Sequence, residues 1–164
     1  ATDVQQIKSL YDSFALPVTD QLLNQQTQAV LSGQSTVADL QQQVAQQAAT
    51  LYASNPQLAE FVKSGQGTVK QWADPYVQAA AQLLGQNPNN IDVTAPQWSF
   101  ILKPQTDPNT GTSTGQALSI DGLQQKIQTD PVFGYSKTAS GIAQYQNMAQ
   151  KLVESFGGST VSGS

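Results

Sequence analysis

Residues 129–141 read TDPVFGYSKTASG and lie between two helical patterns. Asp130-Pro131 ends the pattern before the stretch, because the residue that precedes a proline is disfavoured in the α region. Thr138 can begin the next helix as an N-cap, since its hydroxyl accepts a hydrogen bond from a free N–H of the first turn. The stretch therefore predicts a structural corner that leads from one helix into another.

The aromatic residues of this corner flank a glycine. Gly134 supplies a turn between Phe133 and Tyr135, which must point in different directions. Apolar residues just before an N-cap also pack back onto the first turns of the helix, and Val132 is placed to do so. We expect both rings to be buried and Lys137 to be solvated.

An apolar stripe follows the corner at steps of three and four residues. It consists of Ile142, Tyr145, Ala149, Leu152, Val153 and Phe156, with Met148 at its edge. This spacing predicts an amphipathic helix from about Thr138 to Phe156.

Two catalytic interpretations of the corner fail on their own requirements. A phosphate-binding loop needs G-x-x-x-x-G-K-[ST] after a strand, whereas Ser136 occupies the second glycine position here. The K-T-G motif of penicillin-recognising enzymes needs an S-x-x-K partner, and the chain has no such spacing.

The helical pattern extends over nearly the whole chain. It predicts an all-α fold, a bundle of about seven or eight short helices with no strand pair. Residues 1–53 form a Gln-rich helical hairpin region, residues 56–157 a compact helical module, and residues 158–164 a flexible tail. Pro75 is expected to interrupt a helix, and residues 104–118 to form a polar loop.

Near-heptad spacing marks one helix of the Gln-rich region. The apolar residues of this helix are Val37, Leu40, Val44, Ala48 and Leu51. The spacing fits an antiparallel helix of a bundle, and it also fits a helix that binds a partner.

The residue types that are missing exclude several classes of chemistry. The chain has no Cys, His or Arg, so thiolate nucleophiles, imidazole bases or ligands, and guanidinium clamps are all absent. Only 11% of the residues are charged, and the net charge is -4. That charge argues against a nucleic-acid surface, and no apolar run is long enough to span a membrane. We predict no catalytic residue, no cofactor and no metal.

Carboxylates supply the remaining candidates for chemistry. Glu60, one of two Glu residues, lies in LAEFV, where apolar neighbours would raise its pKa and suit a general acid. The stretch from Asp107 to Gly115 looks like a calcium loop, but its fifth and twelfth positions are Gly111 and Leu118, which offer no ligand side chain. An adventitious Ca²⁺ at Asp107 or Asp92 remains an alternative.

Three stretches together resemble the C-terminal modules of tailed-phage virion proteins, namely tail tape-measure proteins and related internal, ejected proteins. They are NPNNIDVTAPQWSFIL (87–102), PQTDPNTGT (104–112) and residues 118–157. The shared pattern is a short helix with Trp, a D-P-x-T-G loop, a D-P helix end, an aromatic corner with Thr, and a helix ending in Phe-Gly. Its structural residues in this chain are Trp98, Asp130, Pro131, Phe133, Tyr135, Thr138 and Phe156.

The resemblance implies a non-enzymatic structural domain that is anchored or assembled at the distal tail and released at genome ejection. Its partners would be other virion proteins or further copies of itself in a symmetric oligomer. It would be located in the virion. Such a domain should be strongly helical and expose apolar seams in residues 1–53. The alternatives are a secreted or surface protein-binding module of a bacterium, and a phage-borne cell-wall hydrolase with Glu60 as its acid.

Overall fold

The structure, a computed structural model, describes residues 2–107 and 109–157. In these ranges the fold is all-α, with seven α-helices, four short 3-10 helices and one small hairpin of two strands. The predicted fold class is therefore confirmed. The predicted flexible tail, residues 158–164, lies outside the described residues.

Seven α-helices follow one another along the chain. They are α1 Thr2–Ser13, α2 Asp20–Leu31, α3 Val37–Leu51, α4 Pro56–Lys63, α5 Val69–Leu84, α6 Ile120–Thr129 and α7 Ala139–Gly157. The 3-10 helices are Pro88–Asn90, Ser99–Leu102, Pro131–Phe133 and Tyr135–Lys137, and the strands are β1 Pro104–Thr106 and β2 Ser113–Ala117.

Neutral side chains begin most of these helices. Thr36 accepts a hydrogen bond from the N–H of Asp39 at 3.1 Å, and Ser119 accepts one from Gly122 at 2.9 Å. Thr68 and Gln71 form a reciprocal pair, in which each side chain accepts from the other residue's N–H. Hydroxyls and amides thus satisfy the free N–H groups that a charged chain often leaves to carboxylates.

The chain forms two compact units. One comprises residues 1–75 and 92–118, and the other comprises residues 76–91 and 119–164. In the first unit α1 packs on α2 and α3, and α3 packs on α4. The buried apolar residues of its N-terminal helices are Ile7, Tyr11, Phe14, Leu23, Leu40, Val44 and Ala48.

The near-heptad stripe of α3 faces this core. Leu40, Val44 and Ala48 are buried, and only Leu51 at the end of the stripe is exposed. The bundle interpretation of the stripe is therefore confirmed. The expected exposed seams of residues 1–53 are absent from the described part of that region, because α1, α2 and α4 cover the apolar side chains.

The boundary between the two compact units does not fall at residues 53–56. There the side chain of Asn55 is fully buried. Its Nδ2 donates to the carbonyl oxygen of Leu102 at 3.2 Å, and its Oδ1 accepts from the N–H of Leu58 at 3.3 Å. One amide thus caps α4 and ties it to residues far along the chain, so the segment is a junction within one unit.

Two local expectations were wrong. Pro75 lies inside α5 without ending it, and the boundary between the two units falls at this residue. The supposed polar loop contains β1 and β2, which pair antiparallel with Pro104 opposite Ala117. Gln57 in α4 stabilises this hairpin by accepting from the N–H of Ala117 at 3.0 Å.

We expect Asn55→Ala to lower the free energy of unfolding by roughly 2–3 kcal/mol, because it removes a cap and leaves the Leu102 carbonyl without its buried partner. Urea denaturation followed by circular dichroism measures this loss. The matched control is Asn87→Ala, which removes an exposed cap of a short 3-10 helix and should cost less than about 1 kcal/mol. Equal losses in the two variants would contradict the bridging role of Asn55.

Candidate functional site

The corner between α6 and α7 begins at Asp130. Its carboxylate accepts a hydrogen bond from the N–H of Val132 at 3.1 Å and forms an ion pair with Lys126 at 3.0 Å. The hydrogen bond from Val132, followed by the interaction with Lys126, lowers the pKa of Asp130. Pro131 occupies the first position of the 3-10 helix that Asp130 caps, so this dipeptide ends α6 as the sequence predicted.

A left-handed glycine separates the two aromatic residues. Gly134 has φ 61°, a conformation that side chains disfavour, and it joins the two 3-10 helices of the corner. Phe133 and Tyr135 are buried on either side, as expected, and Lys137 is exposed. The Tyr135 hydroxyl donates to Oε1 of Gln144 at 2.8 Å, which ties the corner to the second turn of α7.

The hydroxyl of Thr138 joins the corner to the start of α7. It accepts from the N–H of Gly141 at 3.0 Å and donates to the carbonyl oxygen of Tyr135 at 2.6 Å. The predicted N-cap is thus confirmed. Gly141 is required beside it, because a Cβ at this position would overlap the backbone of Tyr135.

Beyond this corner α7 presents its apolar stripe to solvent. Every residue from Ile142 to Phe156 is exposed, and the exposed fractions reach 75% at Tyr145 and 84% at Phe156. We call this face the α7 seam; it consists of Ile142, Tyr145, Met148, Ala149, Leu152, Val153 and Phe156. It is the largest set of exposed apolar side chains in the described part of the chain.

The predicted structural residues do not form one cluster. Asp130, Pro131, Phe133, Tyr135 and Thr138 lie together in the corner. Phe156 lies near the other end of α7, roughly 25 Å away along the helix axis, where its side chain is exposed. Trp98 belongs to the other compact unit, where it is buried and stacks on Phe100 with ring centroids 6.3 Å apart. Val132 is exposed and does not pack back on α7 as expected.

Glu60 lies on the exposed face of α4. It borders a shallow groove of about 580 Å³, whose charged lining consists of Glu60 and Lys63. Neither a buried apolar environment nor a second carboxylate surrounds it there. A general acid at Glu60 was expected from its apolar neighbours, but the structure leaves this side chain exposed.

A second groove, of about 720 Å³, has a lining rich in amides. Gln41, Gln42 and Gln46 of α3 face Gln71 across it, and Phe14 and Val62 form part of its floor. Gln26, outside this groove, leaves its buried Oε1 without a hydrogen-bond partner while its Nε2 donates to Tyr11. The hydroxyl of Ser64, which also lines the groove, donates to the carbonyl oxygen of Phe61 at 3.3 Å and accepts from Nε2 of Gln66 at 3.1 Å.

The two aspartates considered for calcium hold turns. Asp92 accepts from both the hydroxyl and the N–H of Thr94, and these hydrogen bonds lower the pKa of its carboxyl. Asp107 accepts from the N–H of Asn109 at 2.8 Å. Within residues 2–107 and 109–157, no group of three or more His, Cys, Asp or Glu residues is arranged to hold a metal ion.

No helix in the described ranges is both long and apolar enough to cross a membrane. Comparison with family models, with curated proteins and with solved structures gives no match.

Sequence reasoning identified the apolar stripe of α7 but did not identify its exposure. A signal was present, because the residues that flank the stripe are uncharged and small or amide-bearing, as at a helix–helix contact. The same signal flanks the buried stripe of α3, so it does not tell a covered helix from an uncovered one. The α7 seam is therefore the candidate functional site that the structure adds.

We expect Thr138→Ala to cost about 1 kcal/mol of stability, because it leaves the N–H of Gly141 without its cap, while the carbonyl of Tyr135 keeps the hydrogen bond from the N–H of residue 138. Urea denaturation followed by circular dichroism at 222 nm measures the loss. Thr138→Ser keeps the hydroxyl and should restore most of the stability. A serine variant as unstable as the alanine variant would show that the hydroxyl is not the cause.

The lowered pKa of Asp130 predicts a dependence on acid. A carboxyl whose folded pKa lies below its unfolded value stabilises the fold above about pH 4, and this contribution is lost as the pH falls through the folded pKa. Asp130→Asn retains a capping oxygen but loses the charge. Its urea midpoint should therefore lie below that of the native chain at about pH 7, and the gap should narrow as the pH falls below about 4 and through the folded pKa. A gap that stays constant over this range would contradict the charge effect.

Proposed function

We propose that this chain is a non-enzymatic structural domain whose α7 seam is the surface through which it assembles with protein. The observation that carries the proposal is the exposure of six large apolar side chains along one face of a helix whose start is firmly fixed. The described residues offer no comparably exposed apolar surface elsewhere.

The size of the seam supports an interface. Tyr145 and Phe156 alone expose roughly 300 Å² at the sizes usual for aromatic side chains. The aliphatic members and Met148 bring the exposed apolar area to the order of 600 Å². That is the upper end of the largest apolar patch on a typical monomer, and patches of this size commonly mark a site of interaction.

The resemblance to C-terminal modules of tailed-phage virion proteins supplies the setting. We therefore place the proposed domain at the distal end of a phage tail, where it is anchored or assembled until genome ejection releases it. Low charge is compatible with this setting, because few ions must be desolvated when such a chain packs against neighbours. The ion pairs of Lys70 with Asp12 and of Lys126 with Asp130 are both partly exposed.

The hydrolase alternative makes a separate prediction. If Glu60 were its acid, the chain would clear peptidoglycan and Glu60→Gln would abolish the clearing. We expect no clearing by the native chain in a turbidity assay on purified cell walls. Clearing that Glu60→Gln removes would overturn the non-enzymatic proposal.

The virion setting is tested through the gene and the particle. We expect tail genes beside the parent reading frame and this chain in purified virions, as measured by peptide mass spectrometry. A phage encoding Tyr145→Gln and Leu152→Gln should incorporate less of the chain, because these changes make the seam polar. The control is Asn147→Gln with Lys151→Gln, on the opposite face of α7, which should be incorporated normally.

Two results would contradict this proposal. Genes for secretion machinery beside the reading frame would favour the bacterial surface module. Normal incorporation of the seam variant would show that another surface attaches the domain.

A further inference from the structure

We infer that the occupant of the α7 seam is the α7 seam of a second copy of this chain, lying antiparallel to the first. The inference deepens the proposed function and rests on its central point, that the seam is a protein interface. It assigns the partner from the order of side chains along the helix.

The spacing of the seam is that of a coiled coil. Ile142, Ala149 and Phe156 are seven residues apart, and Tyr145 and Leu152 fall between them at the alternate step of three and four. These are the a and d positions of a heptad pattern, at which the side chains of one helix insert between those of another. A partner that carries the same pattern is complementary to it.

The flanks of the seam carry no charge that would oppose self-association. The positions beside the a and d residues are Gly141, Gln146, Met148, Val153 and Ser155, all of them neutral. Lys151 and Glu154 lie at positions that face away from the seam. Two identical helices can therefore meet without like charges opposing one another, which is the usual obstacle to pairing a charged helix with itself.

The order of residue sizes favours the antiparallel arrangement. Ala149 lies midway between Ile142 and Phe156, so an antiparallel pair centred on it places each Ile142 opposite the other copy's Phe156. Tyr145 then lies opposite Leu152 and Val153, and the small alanines meet at the centre. A parallel pair would instead stack Phe156 on Phe156 and Tyr145 on Tyr145, so the largest side chains of the two copies would meet at the same levels of the contact.

Two further features favour the same direction. Antiparallel helices bring opposite ends of their dipoles together. The start of α7 also carries the folded corner of Tyr135 and Thr138, and an antiparallel pair places the two corners at opposite ends of the contact. In a parallel pair both corners would crowd at one end.

The small area of the seam is typical of a weak contact. With roughly 600 Å² from each copy, the dimer buries about 1,200 Å², the lower bound of stable specific interfaces. Pairing over two heptads is also short for a coiled coil. The expected dimer is therefore reversible, with a dissociation constant on the order of micromolar.

A membrane fits the seam less well than a second copy. Amphipathic helices that lie on a lipid surface are rich in Lys and Arg on their polar face. The polar face of α7 carries one Lys and one Glu, with Gln and Asn elsewhere. Electrostatic attraction to an anionic surface is absent from such a helix.

Sedimentation velocity of the full chain, from roughly 1 to 500 µM, tests self-association. The mass should rise from monomer to dimer over this range. Tyr145→Gln with Leu152→Gln should raise the dissociation constant at least about 30-fold, because each removes a large side chain from the centre of the contact. The control, Asn147→Gln with Lys151→Gln, should dimerise normally, and circular dichroism should show native helix in both variants.

Disulfide trapping tests the direction, and the chain is suited to it because it has no Cys. Ile142→Cys and Phe156→Cys are prepared as single variants and oxidised alone and mixed. The antiparallel pair predicts a cross-linked dimer only in the mixture, since only then do the two thiols lie within disulfide reach. Cross-linking of each variant alone would overturn the antiparallel assignment.

The remaining outcomes separate this inference from the proposed function. A chain that stays monomeric at every concentration overturns self-association, as does a seam variant that dimerises like the native chain. If that monomer binds vesicles of phosphatidylcholine and phosphatidylglycerol, the occupant is lipid. If it is still incorporated into virions through the seam, the proposed function stands with a different protein partner. A dimer that is absent from virions leaves this inference intact and removes the phage setting.

Discussion

The bridge made by the hydroxyl of Thr138 fixes where the corner ends and α7 begins. This one group satisfies the carbonyl of Tyr135 on one side and the N–H of Gly141 on the other. The close approach of Gly141 to the backbone of Tyr135 leaves the first turn of α7 little freedom. The direction in which α7 leaves the corner, and hence the face that it exposes, follow from this local contact.

Local chemistry predicted much of the fold. Thr138 caps α7 and Asp130-Pro131 ends α6, as the sequence indicated. These signals involve residues a few positions apart, so they can be recognised without knowledge of the fold. The roles of Asn55 and Gln57 could not be recognised in this way, because their partners Leu102 and Ala117 lie far along the chain.

The candidate site was only partly predictable for a related reason. Periodicity shows which face of a helix is apolar, but it does not show what covers that face. The stripes of α3 and α7 look alike in sequence, yet Val44 is buried and Tyr145 is exposed. What covers an apolar stripe depends on tertiary or quaternary contacts. The exposed seam was therefore expected in the N-terminal helices, whereas the structure shows it on α7. Pro75 and the hairpin of β1 and β2 show the same limit, since the surrounding structure overrides a local signal in each case.

The neutrality of the α7 seam has a consequence for how any contact through it responds to the medium. A contact between ions weakens as salt is added, because mobile ions screen it. Apolar contact has no such dependence, and its strength falls on cooling instead. The strength of the proposed contact through the α7 seam should therefore respond to temperature more than to ionic strength.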